Sequence, residues 1–165
     1  MKGVRILAIL AATVALLTTA PAAFAEEGPT RAEYVEQVEP ICQANTEANE
    51  RILQNVKQRA QSKQQQQVSR AGGQFIHASK AFSGAVAKLA HVPRPVADAP
   101  RLQKWFKHLR IVGTNLHKLG AALKEGNKIL AAHEQIRVER AANASNNVGF
   151  VFEFHYCHLT QSRFT

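Results

Sequence analysis

The densest group of potentially reactive side chains lies near the carboxyl end, where His155, Tyr156, Cys157 and His158 are consecutive. Two imidazoles and a thiolate suit zinc, so His155, Cys157 and His158 are the candidate ligands of a metal site. Such a site needs three or four ligands in fixed geometry, and spacing alone places no further histidine or aspartate beside them. Histidine and tyrosine also ligate haem, but the C-x-x-C-H motif is missing. We therefore expect no cofactor, and a metal or haem carrier is the alternative hypothesis.

The amino end has the layout of a secretory signal peptide. Lys2 and Arg5 precede an apolar stretch at residues 6–17, and the small-residue motif Ala23-Phe24-Ala25 follows. Twelve apolar residues are fewer than the about 20 that span a bilayer. Residues 1–25 are therefore predicted to be removed on export, and residues 26–165 to form one secreted domain, extracellular or associated with the cell wall.

Cys42 and Cys157 are the only thiols in the sequence. An even number of cysteines in an exported chain favours a disulfide, which would join the first helix to the carboxyl-terminal tail. Two unrelated free thiols, or a metal bound by Cys157, are the remaining interpretations.

The sequence contains no recognisable catalytic signature. The G-x-S-x-G, phosphate-loop and G-x-G-x-x-G motifs are all missing. His133-Glu134 begins like a zincin helix, but Arg137 stands where the second histidine is required. Asp98 is the only aspartate, so no acidic pair for glycoside cleavage can be nominated. We therefore expect a protein without enzymatic activity.

Positive charge is concentrated in the middle of the chain, which carries +9 overall. Residues 26–50 contain seven glutamates and one arginine, whereas residues 51–124 contain fourteen lysines and arginines and one aspartate, or +13. This asymmetry indicates either an anionic partner or a solvated surface paired internally with the acidic first helix. The candidate residues for partner binding lie off the apolar seam of the third helix: Arg101, Lys104, Lys107 and Lys118. Export would make that partner an anionic envelope polymer or a lipid surface, not intracellular nucleic acid.

Hydrophobic periodicity predicts two helices in the first half of the domain. Thr30 and Glu33 form a capping-box pattern before an apolar stripe that extends to Val56. Pro40 lies inside the stripe, where it should kink or split the helix. The glutamine-rich residues 58–67 are interpreted as a frayed end and loop, and Gly72-Gly73 delays the second helix to about Gln74.

Two more helices are predicted in the second half. Asp98 is the expected cap of the third, whose seam is Leu102, Trp105, Leu109, Val112, Leu116, Leu119 and Leu123. Asn127 is the expected cap of the fourth, whose apolar face is assigned to Ile129, Leu130, Ile136, Ala141, Ala144 and Val148.

Together these patterns predict an all-α fold, an antiparallel four-helix bundle. From Phe150 to Cys157 aromatic residues recur at every second position, which favours an extended tail packed across the end of the bundle.

Several of these features in order resemble uncharacterised secreted helical proteins of actinobacteria of the Solirubrobacter type. They are the signal peptide, Tyr34 eight residues before Cys42, Val92-Pro93-Arg94-Pro95, the Leu/Trp third helix, Glu125-Gly126-Asn127, and Gly149 shortly before Cys157. The resemblance covers residues 26–165, although the tail here is longer and more aromatic. It implies a secreted bundle with a disulfide between its two ends, and it implies no activity.

Overall fold

The computed structural model describes residues 28–160, so the predicted signal peptide lies outside the described part of the chain. Within residues 28–160 the chain forms five α-helices and two 3-10 turns and contains no strand. In chain order these are α1 (Arg31–Ile52), α2 (Val56–Ala60), α3 (Gln65–Ala90), a 3-10 turn (Val96–Asp98), α4 (Ala99–Lys124), α5 (Lys128–Gly149) and a second 3-10 turn (Phe150–Phe152). The all-α prediction is confirmed.

The four long helices pack as an antiparallel bundle. Helix α3 packs on both α1 and α4, and α4 also packs on α5. Helices α1 and α4 make no comparable contact, so they occupy opposite corners. Helix α2 is short and packs on α3. This order leaves the side between α1 and α5 to be closed by other parts of the chain.

The apolar seam predicted for α4 forms the centre of the core. All seven members are buried: Leu102, Trp105, Leu109, Val112, Leu116, Leu119 and Leu123. Phe106, which the seam did not include, is buried as well, and the Arg94 guanidinium lies 4.7 Å from the centre of its ring. This arrangement is a cation–π contact, in which the ring face attracts the positive charge of Arg94.

Helix α1 begins with the capping box that the sequence predicted. The Thr30 hydroxyl accepts a hydrogen bond from the Glu33 amide at 3.2 Å, and the Glu33 carboxylate accepts one from the Thr30 amide at 2.7 Å. The Glu33 carboxylate also accepts a hydrogen bond from the Thr30 hydroxyl at 2.8 Å, and the bonds from the Thr30 amide and hydroxyl hold the pKa of this carboxylate below its usual range. The helix continues through Pro40 to Ile52, so the proline does not split it.

The loop predicted at residues 58–67 is shorter than expected. Asn55 adopts a left-handed conformation with φ of 60° and begins α2, which occupies residues 56–60. Helix α3 then starts at Gln65 and not near Gln74. Gln65 and Gln66 are exposed, and Val68 is the first buried residue of the helix.

Gly72 permits a close crossing of α3 and α4. A Cβ atom on Gly72 would lie 2.5 Å from the Gly120 carbonyl oxygen, and one on Gly120 would lie 2.6 Å from the Gly72 carbonyl oxygen. Because these neighbours are backbone atoms, they cannot rotate away. The glycine that appeared to weaken the helix therefore serves helix–helix packing, while the adjacent Gly73 has no atom within 4 Å of its Cβ position.

Gly72→Ala is expected to reduce the free energy of unfolding by about 1–3 kcal/mol, because the added methyl group forces the two helices apart. Gly73→Ala should increase it by up to about 1 kcal/mol, since alanine is the better helix former in open space. Urea unfolding of the two variants measures both changes. Equal effects of the two substitutions would contradict the close crossing.

The face assigned to α5 was wrong in the first half of the helix, whereas Ala141 is buried and Val148 packs against the core as predicted. Ile129 is 77 % exposed, Leu130 41 % and Ile136 44 %. The buried face of the helix consists mainly of small residues: Ala131, Glu134, Val138, Ala141, Ala142, Ser145 and Gly149. Helix α5 packs on α4 through these short side chains, and its larger apolar residues lie outside the interface. The cap was correct, because the Asn127 side chain accepts a hydrogen bond from the Leu130 amide at 3.0 Å.

Candidate functional site

The tail is joined to α1 by a disulfide between Cys42 and Cys157, which confirms the predicted pairing across 115 residues. Both half-cystines are buried, and no free cysteine remains in the chain. The disulfide excludes the free-thiol interpretation and removes Cys157 from any metal site, because a half-cystine has no thiolate to offer.

Polar contacts hold the tail on both sides of the disulfide. The Glu39 carboxylate on α1 accepts hydrogen bonds from the amides of His155 at 2.9 Å and Tyr156 at 2.7 Å. The Asn146 side chain on α5 donates to the Leu159 carbonyl at 2.7 Å and accepts from its amide at 2.9 Å. The tail therefore lies between α1 and α5, and its His-Tyr-Cys segment is part of the closure of the bundle.

Aromatic contacts of the tail differ from the predicted alternation. Residues 150–152 form a 3-10 turn, and Phe150 is 79 % exposed instead of packed. Phe152 is buried and stacks on Phe154 at 5.1 Å between ring centres, and Phe154 lies 5.0 Å from the Trp105 ring. Packing of the tail on the bundle is confirmed, but an extended backbone from Phe150 is not.

Tyr34 is a buried phenol at the end of the bundle where the tail packs. The side chain is fully buried, and its ring lies 6.0 Å from that of Phe152. The hydroxyl has no hydrogen-bond partner among the described residues. Burial raises the pKa of Tyr34 to about 12, so the phenol stays neutral at physiological pH.

The alternative metal residues do not converge in the described structure. His155 and His158 are exposed, and the His155 ring packs edge-on against Tyr156 at 4.5 Å. Within residues 28–160 no three histidine, cysteine, aspartate or glutamate side chains come together as a metal-binding group. Two exposed imidazoles without a third ligand do not make a zinc site.

Asp98 has a different role from the cap expected of it. Its side chain makes no capping hydrogen bond to α4. Instead its two oxygens accept hydrogen bonds from Arg31 at 2.9 and 2.8 Å, and the guanidinium lies 5.4 Å from the centre of the Phe152 ring. Asp98 is buried while Arg31 is about half exposed. The pair joins the start of α1 to the α3–α4 connection and to the tail.

The Arg31–Asp98 pair should make stability depend on acid pH. Hydrogen bonding to Arg31 lowers the pKa of Asp98 in the folded protein. Its stabilising contribution is therefore complete above the unfolded pKa of about 3.9 and is lost as the pH falls through the lower folded pKa.

The expected result is that Asp98→Asn unfolds more easily than the wild type at pH 7, and that this difference shrinks as the pH falls below about 3.9. Denaturant titrations of both proteins between neutral and strongly acid pH measure it. A difference that stays constant down to the lowest pH would contradict the ion pair.

The predicted anion-binding residues lie on α4, and one of them, Arg101, interacts electrostatically with Asp98 just before the helix. Helix α4 contains six lysines and arginines and no carboxylate, and α3 contains three and no carboxylate. We call the exposed lysines and arginines of these two helices the basic face: Arg70, Lys80, Lys88, Arg101, Lys104, Lys107, Arg110, Lys118 and Lys124. The four candidates are all exposed, and none forms an ion pair with another described residue: Arg101, Lys104, Lys107 and Lys118.

The described glutamates of α1 form no ion pair with the lysines and arginines of α3 and α4. Helix α1 packs on α3 and occupies the corner opposite α4, which carries the candidate lysines. Glu33 is bonded to the start of its own helix, and Glu39 binds the tail amides. No ion pair links α1 to α3 or α4 within residues 28–160. Among the described residues the one ion pair between the two charge-rich segments is Arg31–Asp98, in which the cation comes from the acidic segment and the carboxylate from the basic one.

Neither a protein-family model, nor a curated protein, nor a solved structure matches this chain. The resemblance to secreted actinobacterial helical proteins stays a prediction. None of the described helices is long and apolar enough to cross a membrane. The function must therefore be argued from the surfaces of the bundle.

Proposed function

We propose that the protein is an exported, non-catalytic helical bundle that binds an anionic polymer of the cell envelope through the basic face. The observation that carries this proposal is the lack of any carboxylate on α3 and α4, which together hold the unpaired cations. Export is supported by the signal-peptide pattern at residues 1–25 and is compatible with the disulfide, which needs an oxidising compartment.

The spacing of three lysines on α4 suits a polymer with regularly repeated anions. Lys107 and Lys118 are eleven residues apart, which is about three helical turns, so they lie on one side of α4. Lys104 precedes Lys107 by three residues and lies beside it. The row from Lys104 to Lys118 extends for about 21 Å along a packed helix. Because the helix backbone is already fixed by packing, binding a polyanion requires no backbone rearrangement, and each neutralised anion releases counterions.

The proposal predicts that reversing charge at Lys104, Lys107 and Lys118 to glutamate weakens binding to wall teichoic acid or heparin about tenfold or more at low salt. Binding by the wild type should weaken steeply with salt, and the triple variant should lose up to about three units of the log–log salt slope. Fluorescence anisotropy of a labelled polymer measures both quantities. All three side chains are exposed, so the fold should be unchanged.

A matched control reverses Lys63, Lys128 and Arg140, which are exposed and lie outside the basic face. It changes the net charge by the same amount. If both triple variants lost the same affinity, binding would depend on net charge alone and not on the basic face. An unchanged affinity in the variant at Lys104, Lys107 and Lys118 would overturn the proposal. Vesicles of phosphatidylglycerol, tested in parallel, separate a polymer from a lipid surface.

A further inference from the structure

A groove of ≈ 500 Å³ lies between α2 and α5, on the side of the bundle where α1 and α5 do not pack together. Its floor is formed by α3 and α4. The apolar part of the lining includes Val56, Phe75, Leu119, Leu123, Ala131 and Val138. The volume falls within the range of about 300–1,000 Å³ that is typical of small-molecule sites, which in bundles lie between helices.

The groove exists because the fourth side of the bundle is only half closed. The tail fills the space between the amino-terminal half of α1 and the carboxyl-terminal half of α5, where it is bonded to Glu39 and Asn146. It reaches the groove at Thr160. Beyond this point α2, a helix of five residues, is the only other described element opposite α5. The groove therefore follows from the topology and is not a packing defect inside a helix interface.

Charged groups are placed unevenly along the groove. Lys57 and Lys128 are exposed at the end where α2 and α5 begin, and the amino end of α5 adds partial positive charge there. Glu139 lies eleven residues further along α5, about 16 Å away, and its carboxylate accepts a hydrogen bond from Gln135 at 3.1 Å. One end of the apolar groove is therefore cationic, and Glu139, the one carboxylate in its described lining, lies toward the other end.

We infer that this groove binds a single-chain amphiphile with an anionic head, such as a long-chain carboxylate. The apolar chain lies over Phe75, Leu119 and Leu123, and the head group is paired with Lys57 and Lys128. This site is separate from the basic face, because none of Arg101, Lys104, Lys107 and Lys118 lines it. Binding of an amphiphile here is therefore independent of polymer binding.

The test titrates the purified exported protein with dansyl-undecanoic acid, whose fluorescence rises in an apolar site. Saturable binding of one molecule per chain is expected. Phenylalanine at Ala131, Ala132 or Ala142 places a ring in the groove and should weaken binding at least tenfold, with thermal unfolding confirming that each variant folds. Ala132 is exposed, so its variant folds even if the buried positions do not tolerate the ring. Ala87→Phe, at an exposed position on α3 outside the groove, is the matched control.

The head-group assignment is tested with Lys57→Ala combined with Lys128→Ala, which should weaken binding of the carboxylate about tenfold. Binding of the methyl ester of the same probe should be equally strong in this double variant and in the wild type. Lys88→Ala, at a position outside the groove, should leave binding of the carboxylate unchanged. Lack of saturable binding, or binding insensitive to the phenylalanine variants, would overturn the inference. Binding that occurs only after removal of residues 161–165 would also overturn it, because the groove would then belong to the chain's own end.

Discussion

Replacing both Cys42 and Cys157 by alanine should lower the free energy of unfolding by about 2–5 kcal/mol, toward the upper end of the range found for native disulfides. The expected loss is large because the bond closes a loop with a sequence separation of 115 residues, and a loop of about 100 residues corresponds to about 4.7 kcal/mol in the chain-entropy model. Both positions are buried, so alanine avoids the buried hydroxyl that serine would introduce. Guanidinium unfolding of the double variant measures the change.

A useful comparison for this variant is Glu39→Gln, which retains the disulfide but weakens the bonds to the amides of His155 and Tyr156. Its cost should be smaller, about 1–3 kcal/mol, because only local hydrogen bonds are affected. If the disulfide variant were as stable as the wild type, the disulfide would not be what stabilises the tail on the bundle.

Leu109→Ala or Leu116→Ala should each lower the free energy of unfolding by about 2–5 kcal/mol. The two side chains are 2 % and 0 % exposed in the middle of α4, where α3 and α5 pack against the helix. Removal of a leucine side chain loses its burial and leaves a space that rigid helices do not close.

Lys107→Ala is the control on the same helix, because its side chain is exposed two residues before Leu109. It should change the unfolding free energy by less than about 0.5 kcal/mol. Thermal or urea unfolding of the three variants gives the order directly. A larger loss for Lys107→Ala than for either leucine would mean that α4 presents a different face to the core.

The sequence predicted the fold well where one side-chain periodicity dominates. The α4 seam alternates by three and four without interruption, and only a buried helix face satisfies that pattern. Thr30 and Glu33 predicted the start of α1 correctly, because both capping contacts are made between residues close in the sequence. Cys42 and Cys157 were paired correctly because two cysteines allow one intramolecular bond.

The errors concern contacts between distant segments. Gly72 weakens a helix considered alone, and only the position of Gly120 on a neighbouring helix shows why glycine is needed there. The small residues of α5 are buried because it packs closely on α4, whereas periodicity gave more weight to Ile129 and Ile136. Asp98 was assigned to the nearest helix end, but Arg31 competes for its carboxylate across the fold.

In the candidate sites too, features set by local sequence could be predicted, and features set by contacts between distant segments could not. Exposure of the candidate lysines could be predicted because they lie off a strong apolar seam. Their lack of ion-pair partners among the described residues could not be predicted, because it depends on how α1 is placed relative to α4. The groove was missed altogether, since its lining comes from four helices and the tail, and no local pattern relates Val56 to Val138.

Export, signal removal and closure of the bundle by the disulfide can be tested together by one measurement, the intact mass of the protein recovered from the culture medium. The sample is alkylated under denaturing conditions, with and without prior reduction. We predict a chain that begins at Glu26, carries no alkyl group without reductant and carries two after reduction, at Cys42 and Cys157. A chain that retains residues 1–25, or one alkylated at both cysteines without reductant, would contradict an exported bundle closed by this disulfide.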